Sequence, residues 1–272
     1  MKLVTWRDAD GVARPGVVEG ADLVELSGSV LAMIEAGSVE VPEGAARRPL
    51  HSVKLEAPIM RPPRVFGIGL NYKEHAAESK MKTQAVPTVF LKLSSSVVGT
   101  GAEVVLPKNS TQPDYEAELA VVIGEGGFRI AAADWERHVF GYTICNDISA
   151  RDIQLATTQW TLGKSFPGFT PLGPWIVTKD EIADPHGLAI SLAIDGEVMQ
   201  EANTRDLIFR IPELIEYISS ITPLEAGDVI STGTPQGVGL GRTPQRWLRA
   251  EEEMVISIAG IGELRNRTRA EV

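Results

Sequence analysis

The chain has 272 residues, 43% of them hydrophobic and 23% charged, and carries a net charge of −10. An acidic surface repels phosphate backbones and anionic headgroups, so nucleic acid and membrane surfaces are excluded as partners, while a small anionic substrate is not. No apolar run reaches the ~18–20 residues that span a bilayer, the first ten residues lack a signal peptide's apolar core, and the single cysteine, Cys145, forbids an intrachain disulfide; together these predict a cytoplasmic protein.

Residues 1–57 read as a small N-terminal α/β unit and residues 58–272 as the main domain. In the first unit, strands are predicted over 2–6, 17–19 and 23–26. A helix over 30–36 is closed by Gly37, and a Pro/Gly-bearing linker covers 41–49. The main domain opens with the apolar run 65–70, followed by helix-like composition over 72–79. Strand patterns follow over 88–93, 103–106, 116–123, 139–146, 175–177, 189–194, 229–231 and 254–258. Asp195-Gly196 is a two-residue hairpin signal. One clear helix spans 211–221, with Pro212 in its first turn and apolar residues at 214, 215, 218 and 221. Many short strands with few helices predict an α+β, mostly β fold and argue against a doubly wound sheet.

Alternation along 116–123 (EAELAVVI) puts Glu116, Glu118, Ala120 and Val122 on one face and Ala117, Leu119, Val121 and Ile123 on the other. Two carboxylates then point the same way, about 7 Å apart by strand rise, beside residues that are otherwise apolar. Such a pair repels and is costly to desolvate, and a cation between the two removes both costs. Asp147, at the end of the 139–146 strand, can complete the site. Three carboxylates suit a hard ion, Mg²⁺, Mn²⁺ or Ca²⁺, better than zinc. The alternation fits equally well a solvated edge whose carboxylates pair with lysines.

Of four histidines, only His75 stands in a suggestive setting. In a helix it shares a face with Glu78, a pairing able to take a proton from water, although a surface histidine on a charged helix fits the same spacing. Arg151 and Gln154 follow Asp147 at i+4 and i+7, so a continuous helix would turn all three toward one site. Lys164 lies in a Gly/Pro-broken aromatic segment, either as a loop charge or as a fixed cation in a pocket. Glycines 233, 237, 239 and 241 allow close backbone approach to a ligand. They lack the Gly-Lys-Ser/Thr of a phosphate loop, and Gly67-x-Gly69 lacks the third glycine of a dinucleotide fingerprint. Cys145, inside an apolar run, reads as inert filler. A lid over 76–86 carries Lys80 and Lys82, which either meet a second substrate carboxylate or are solvated.

Six ordered blocks then coincide: GxGLNYxxHAxE at 67–78, PxxFLK at 87–92, DYExELAVVIG at 114–124, GYTICNDISARDxQ at 141–154, LGKSFxxFxPLGPW at 162–175 and DVISTGTPxGVG at 228–239. Their combination resembles the fumarylacetoacetate hydrolase family, in its shorter, bacterial acylpyruvase-like branch. The resemblance implies a mixed β-roll domain and a homodimer. It implies Mg²⁺ or Mn²⁺ on Glu116, Glu118 and Asp147, and a water-activating pair in His75 and Glu78. Lys164 and Gln154 would contact the oxyanion or substrate, and Lys92, Arg151 and Thr234 would line the pocket. Leu93 stands where the family often has proline, and the extra carboxylate ligand of the larger members has no match upstream of His75. The implied activity is metal-dependent C–C hydrolysis of a 2,4-dioxo acid. The alternative is an isomerase or decarboxylase of a 2-hydroxy-diene-dioate or oxaloacetate-like acid. A non-catalytic metal-binding module is the remaining reading.

Overall fold

A computed structural model describes residues 1–8, 10–78 and 84–272. The α+β, mostly β expectation holds. The main sheet has twelve strands among the described residues. Its path runs from the N-terminal strands through Lys2–Arg7, Thr170–Thr178, Val139–Asn146, Ala117–Ile123, Val229–Ser231 and Val65–Gly69 to the edge strand Thr88–Lys92. Residues 1–57 join it through the antiparallel pairing of Lys2 with Val177. A second sheet of five strands orders Glu197–Asn203, Ala189–Ile194, Glu253–Ile258, Gly262–Ala270 and Glu103–Leu106. A short ribbon pairs Pro113–Asp114 with Ser149–Ala150.

The predicted alternation of the Ala117–Ile123 strand places its two faces in different cores. Ala120 and Val122 face a cluster that includes Leu3, Val30, Ile34 and Val229. Leu119, Val121 and Ile123 face the larger cluster, which takes in Ile190, Leu192 and Ile256 of the second sheet and Leu214, Ile215 and Ile218 of the helix Ile211–Ile221. The strand is therefore buried on both faces, and the carboxylates at its start inherit that burial. Local signals agree with these placements. Ser29 caps the helix Val30–Ala36 by accepting from the Ala32 amide, and Gly37 closes it in the left-handed region. Asp195 and Gly196 both have positive φ, as a two-residue hairpin requires.

Several elements differ from expectation, among them the following. The 41–49 linker ends in a strand, Arg47–Pro49, paired to Asp22–Glu25. The strand expected over 175–177 is longer, Thr170–Thr178, because pairing continues past Pro171 and Pro174, where proline hides the pattern. Gly262–Ala270 is a strand whose inward positions are Leu264, Asn266 and Thr268. Two of those three are polar, so hydrophobic periodicity does not register it.

Leu119 lies at the centre of the sheet, fully buried (0% exposed), whereas Leu162 is 72% exposed. Leu119→Ala is expected to cost about 2–5 kcal/mol in urea unfolding, and Leu162→Ala about 0.5 kcal/mol or less. Equal losses at the two positions would contradict this placement of the core.

Candidate metal centre

Glu116 and Glu118 lie where the Ala117–Ile123 strand begins, and Asp147 follows the antiparallel partner Val139–Asn146. The strand ends are clipped together. The Asp147 amide donates to the Glu116 carbonyl at 2.9 Å, and the Glu116 amide donates to Asn146 Oδ1 at 3.1 Å. Three carboxylates 4%, 1% and 0% exposed thus converge, with one oxygen of each within 4.8 Å of the others.

A buried cationic frame surrounds them. Lys164 Nζ bridges Glu116 Oε2 at 2.6 Å and Asp147 Oδ2 at 2.8 Å. Lys92 Nζ meets Asp147 Oδ1 at 2.5 Å and also donates to the Lys164 carbonyl. Arg151 reaches Glu116 Oε1 at 2.6 Å and Asp114 Oδ2 at 2.8 Å. Both oxygens of Glu116 and of Asp147 are thus held by cations. Glu118 has only neutral donors among the described residues: the Ser231 hydroxyl at 2.6 Å and the Gly233 amide at 2.9 Å, both on Oε2. Four buried carboxylates (114, 116, 118, 147) face three buried cations (92, 151, 164), one negative charge in excess.

That excess divides the two glutamates. Burial acts to raise the Glu116 pKa, but Arg151 and Lys164 outweigh it and hold the group well below the ordinary carboxylate range. Burial pushes Glu118 well above that range, and the neighbouring Asp147 and Glu116 charges push the same way. Burial likewise acts to lower Lys164, yet Asp147 and Glu116 raise it, so it stays an ammonium. A hard divalent cation on Glu116, Glu118 and Asp147 would remove the excess charge, and the all-oxygen donor set fits such an ion. Cys145, buried nearby, adds no soft ligand: burial first, then Glu118 and Asp147, push its thiol up to about 12.

His75 sits on the short helix Lys73–Glu78 and is buried. Its Nδ1 lies 3.8 Å from Glu78 Oε2, beyond hydrogen-bond reach, and has no hydrogen-bond partner among the described residues. The Glu78 carboxylate instead accepts from the Gly237 amide at 3.0 Å. His75, Glu116, Glu118, Arg151, Gln154, Lys164 and Thr234 all line one narrow cavity of about 30 Å³, with Trp160 and Leu240.

One sequence expectation is corrected here. Asp147, Arg151 and Gln154 do not share a helix: Ser149–Ala150 forms a strand, and the helical turn begins only at Arg151. Arg151 and Gln154 reach the site by bonding each other at 3.0 Å, and Arg151 serves Glu116, not Asp147. The glycine loop approaches the protein's own carboxylates. Gly233 meets Glu118, Gly237 meets Glu78, and Gly239 and Leu240 meet Asp114. A Cβ at Gly241 would fall 2.1 Å from the Glu78 side chain. Thr234 spends its hydroxyl on the Ala117 carbonyl at 3.0 Å. Asp114, Ser231 and Trp160 were not singled out from the sequence. Asp114 opens the DYExELAVVIG block, but nothing in its spacing marks a role, and only its contacts do. The lid lysines, Lys80 and Lys82, lie outside the described residues.

Residues 64–269 match the fumarylacetoacetate (FAA) hydrolase C-terminal family. The chain belongs to the fumarylacetoacetate hydrolase family. Within it, the chain is similar to oxaloacetate tautomerase YisK of Bacillus subtilis (strain 168), 46% identical over 222 residues, 80% of this chain and 74% of the relative. It is similar to human oxaloacetate tautomerase FAHD2A, mitochondrial, 44% identical over 221 residues, 80% and 70% of the two chains. Among solved structures it resembles a fumarylacetoacetate hydrolase from psychrophilic Exiguobacterium antarcticum, with TM-score 0.91, 36% identity and 100% of both chains covered. The human, rat, cattle and Xenopus relatives are named mitochondrial, which overturns the cytoplasmic expectation. Scarce cysteine separates reducing from oxidising compartments, not one reducing compartment from another.

The raised Glu118 pKa fixes a sign. Without metal, this group favours the folded state at low pH, and that contribution is lost as pH rises through the raised value. A bound cation must displace the Glu118 proton, so Mn²⁺ affinity is expected to rise with pH, by up to about tenfold per unit while Glu118 is protonated. Calorimetric titration in buffers of different ionisation enthalpy should show proton release on binding. Binding that is independent of pH and releases no proton would contradict the assignment.

Proposed function

We propose that this family member is a divalent-metal tautomerase, interconverting keto and enol forms of oxaloacetate or a closely similar 2-oxo acid. The observation that carries the proposal is one cavity lined by a fixed ammonium, a buried imidazole and two carboxylates, Glu116 and Glu118, of a cluster that Asp147 completes. The curated relatives at 43–46% identity named oxaloacetate tautomerases support the same substrate. This departs from the acylpyruvase-like branch and from C–C hydrolysis as the main activity.

Glu116, Glu118 and Asp147 would hold the ion, Mg²⁺ or Mn²⁺, with Ca²⁺ also compatible with the oxygen donors. When bound, the ion supplies Lewis acidity toward the carboxylate and 2-oxo oxygen of the substrate. Keto-to-enol conversion removes one proton from C3, places that C–H electron pair in a C2=C3 double bond, shifts the C2=O π pair onto oxygen, and adds one proton there. Lys164 remains charged among its carboxylates, so it is a donor to the developing oxyanion and a poor base. The base at C3 is therefore assigned to His75, whose Nδ1 is spared from hydrogen bonding. Arg151 and Lys92 hold the ligands, and Gln154 and Thr234 shape the wall. A homodimer, as the family resemblance implies, belongs to this reading.

Hydrolysis of an acylpyruvate is the second reading, favoured by Glu78 standing three residues from His75. It requires the pair to activate water, whereas here the two stand 3.8 Å apart and Glu78 accepts from the Gly237 amide.

Purified protein with Mn²⁺ is expected to accelerate the decay of enol-oxaloacetate absorbance, and EDTA is expected to abolish the effect. His75→Ala should lower the rate about 100-fold or more while sparing Mn²⁺ binding. Glu78→Gln separates the readings: tautomerase activity should fall only a few-fold, on the order of one lost hydrogen bond, whereas a hydrolase should lose nearly all turnover. Acylpyruvate cleavage without oxaloacetate tautomerisation would refute the proposal.

A further inference from the structure

Asp114 is fully buried (0% exposed), lies on the Pro113–Asp114 ribbon two residues before Glu116, and has no part in the reaction proposed above. Its carboxylate accepts four hydrogen bonds. Oδ1 takes the Tyr115 amide at 2.9 Å and the Gly239 amide at 2.7 Å. Oδ2 takes the Leu240 amide at 3.0 Å and Arg151 Nε at 2.8 Å.

These bonds run to both halves of the site. Toward the ligands, Arg151 carries on from Asp114 to Glu116 Oε1 at 2.6 Å and to Gln154 Oε1 at 3.0 Å. Toward the base, Gly239 and Leu240 belong to the same glycine loop whose Gly237 amide holds Glu78, three residues from His75. A side chain at Gly239 would place its Cβ 2.7 Å from Asp114 Oδ1, so the loop is built to let this carboxylate reach its backbone.

We infer that Asp114 is a positioning residue that sets the Glu116 ligand through Arg151 and docks the Glu78 end of the His75 helix through the Gly239–Leu240 amides. Both side-chain oxygens must accept. An asparagine has one acceptor oxygen and would turn its NH₂ toward either the Arg151 N–H or the loop amides, and a donor facing a buried donor leaves both unsatisfied. Arg151 would then lean on Glu116 alone, altering the ligand that the ion needs. The inference rests on the metal reading of the site but not on which keto acid is turned over.

The test uses the whole chain with Mn²⁺ as the probe. Asp114→Asn is expected to weaken Mn²⁺ binding about tenfold or more and, at saturating Mn²⁺, to lower kcat more than it changes KM for oxaloacetate. Arg151→Lys should weaken Mn²⁺ binding as well. If Asp114 acts through Arg151, the double variant should lose little beyond the worse single variant, and fully additive losses would overturn the inference. A variant that melts earlier yet binds Mn²⁺ like the wild type would show a purely structural role. If Asp114→Asn does not fold, Asp114→Glu, which keeps the charge but displaces it by a methylene, carries the same test: weakened Mn²⁺ binding supports the inference and unchanged binding overturns it. Wild-type protein that fails to bind Mn²⁺ would overturn the metal reading and this inference together. Wild-type binding matched by Asp114→Asn would overturn this inference alone.

Discussion

Lys164 stands between Glu116 and Asp147, and the geometry of the centre depends on that bridge. The two carboxylates come from different strands, and burying both without a cation would cost several kcal/mol per ion. The ammonium, with Lys92 and Arg151 behind it, lets the strand ends meet. The frame falls one charge short, and the shortfall rests on Glu118. The arrangement therefore stabilises the folded protein and leaves a specific demand for one more positive centre.

The demand follows from where the Ala117–Ile123 strand lies. Apolar residues on both of its faces belong to cores, so any polar group at its start is carried into a dry environment. The large cores thus do more than hold the fold. They impose the burial that raises both glutamates, against which Arg151 and Lys164 hold Glu116 down and the Asp147 and Glu116 charges keep Lys164 an ammonium.

Much of this was legible in the sequence where the signal is local. The alternation of 116–123, the capped helix 30–36, the amphipathic helix 211–221 and the Asp195-Gly196 hairpin each follow from a few neighbouring residues. The cationic frame was not derivable from spacing, because Lys92 and Lys164 lie 72 residues apart in sequence and meet only through tertiary pairing. The resemblance to the family supplied those two positions, but not what they bond. Polar inward positions hid Gly262–Ala270. The glycine loop was correctly marked as a place of close approach, but local pattern cannot say that the approaching groups are Glu78, Asp114 and Glu118. Assuming one helix through 147–154 failed because tertiary pairing at Ser149–Ala150 overrides spacing.

The helix that carries His75 spans only Lys73–Glu78, six residues. Helix nucleation is costly, and a segment that short has little tendency to stay helical in water. Its order must come from its two moorings. Asn71 bonds Thr232 and Phe209 just before it, and Glu78 bonds Gly237 at its last residue. The imidazole is thus presented by contacts at the ends of its segment, not by the helix itself. Glu78 is here occupied as a tether, so the coil–helix balance of six residues sets how often the imidazole is in place.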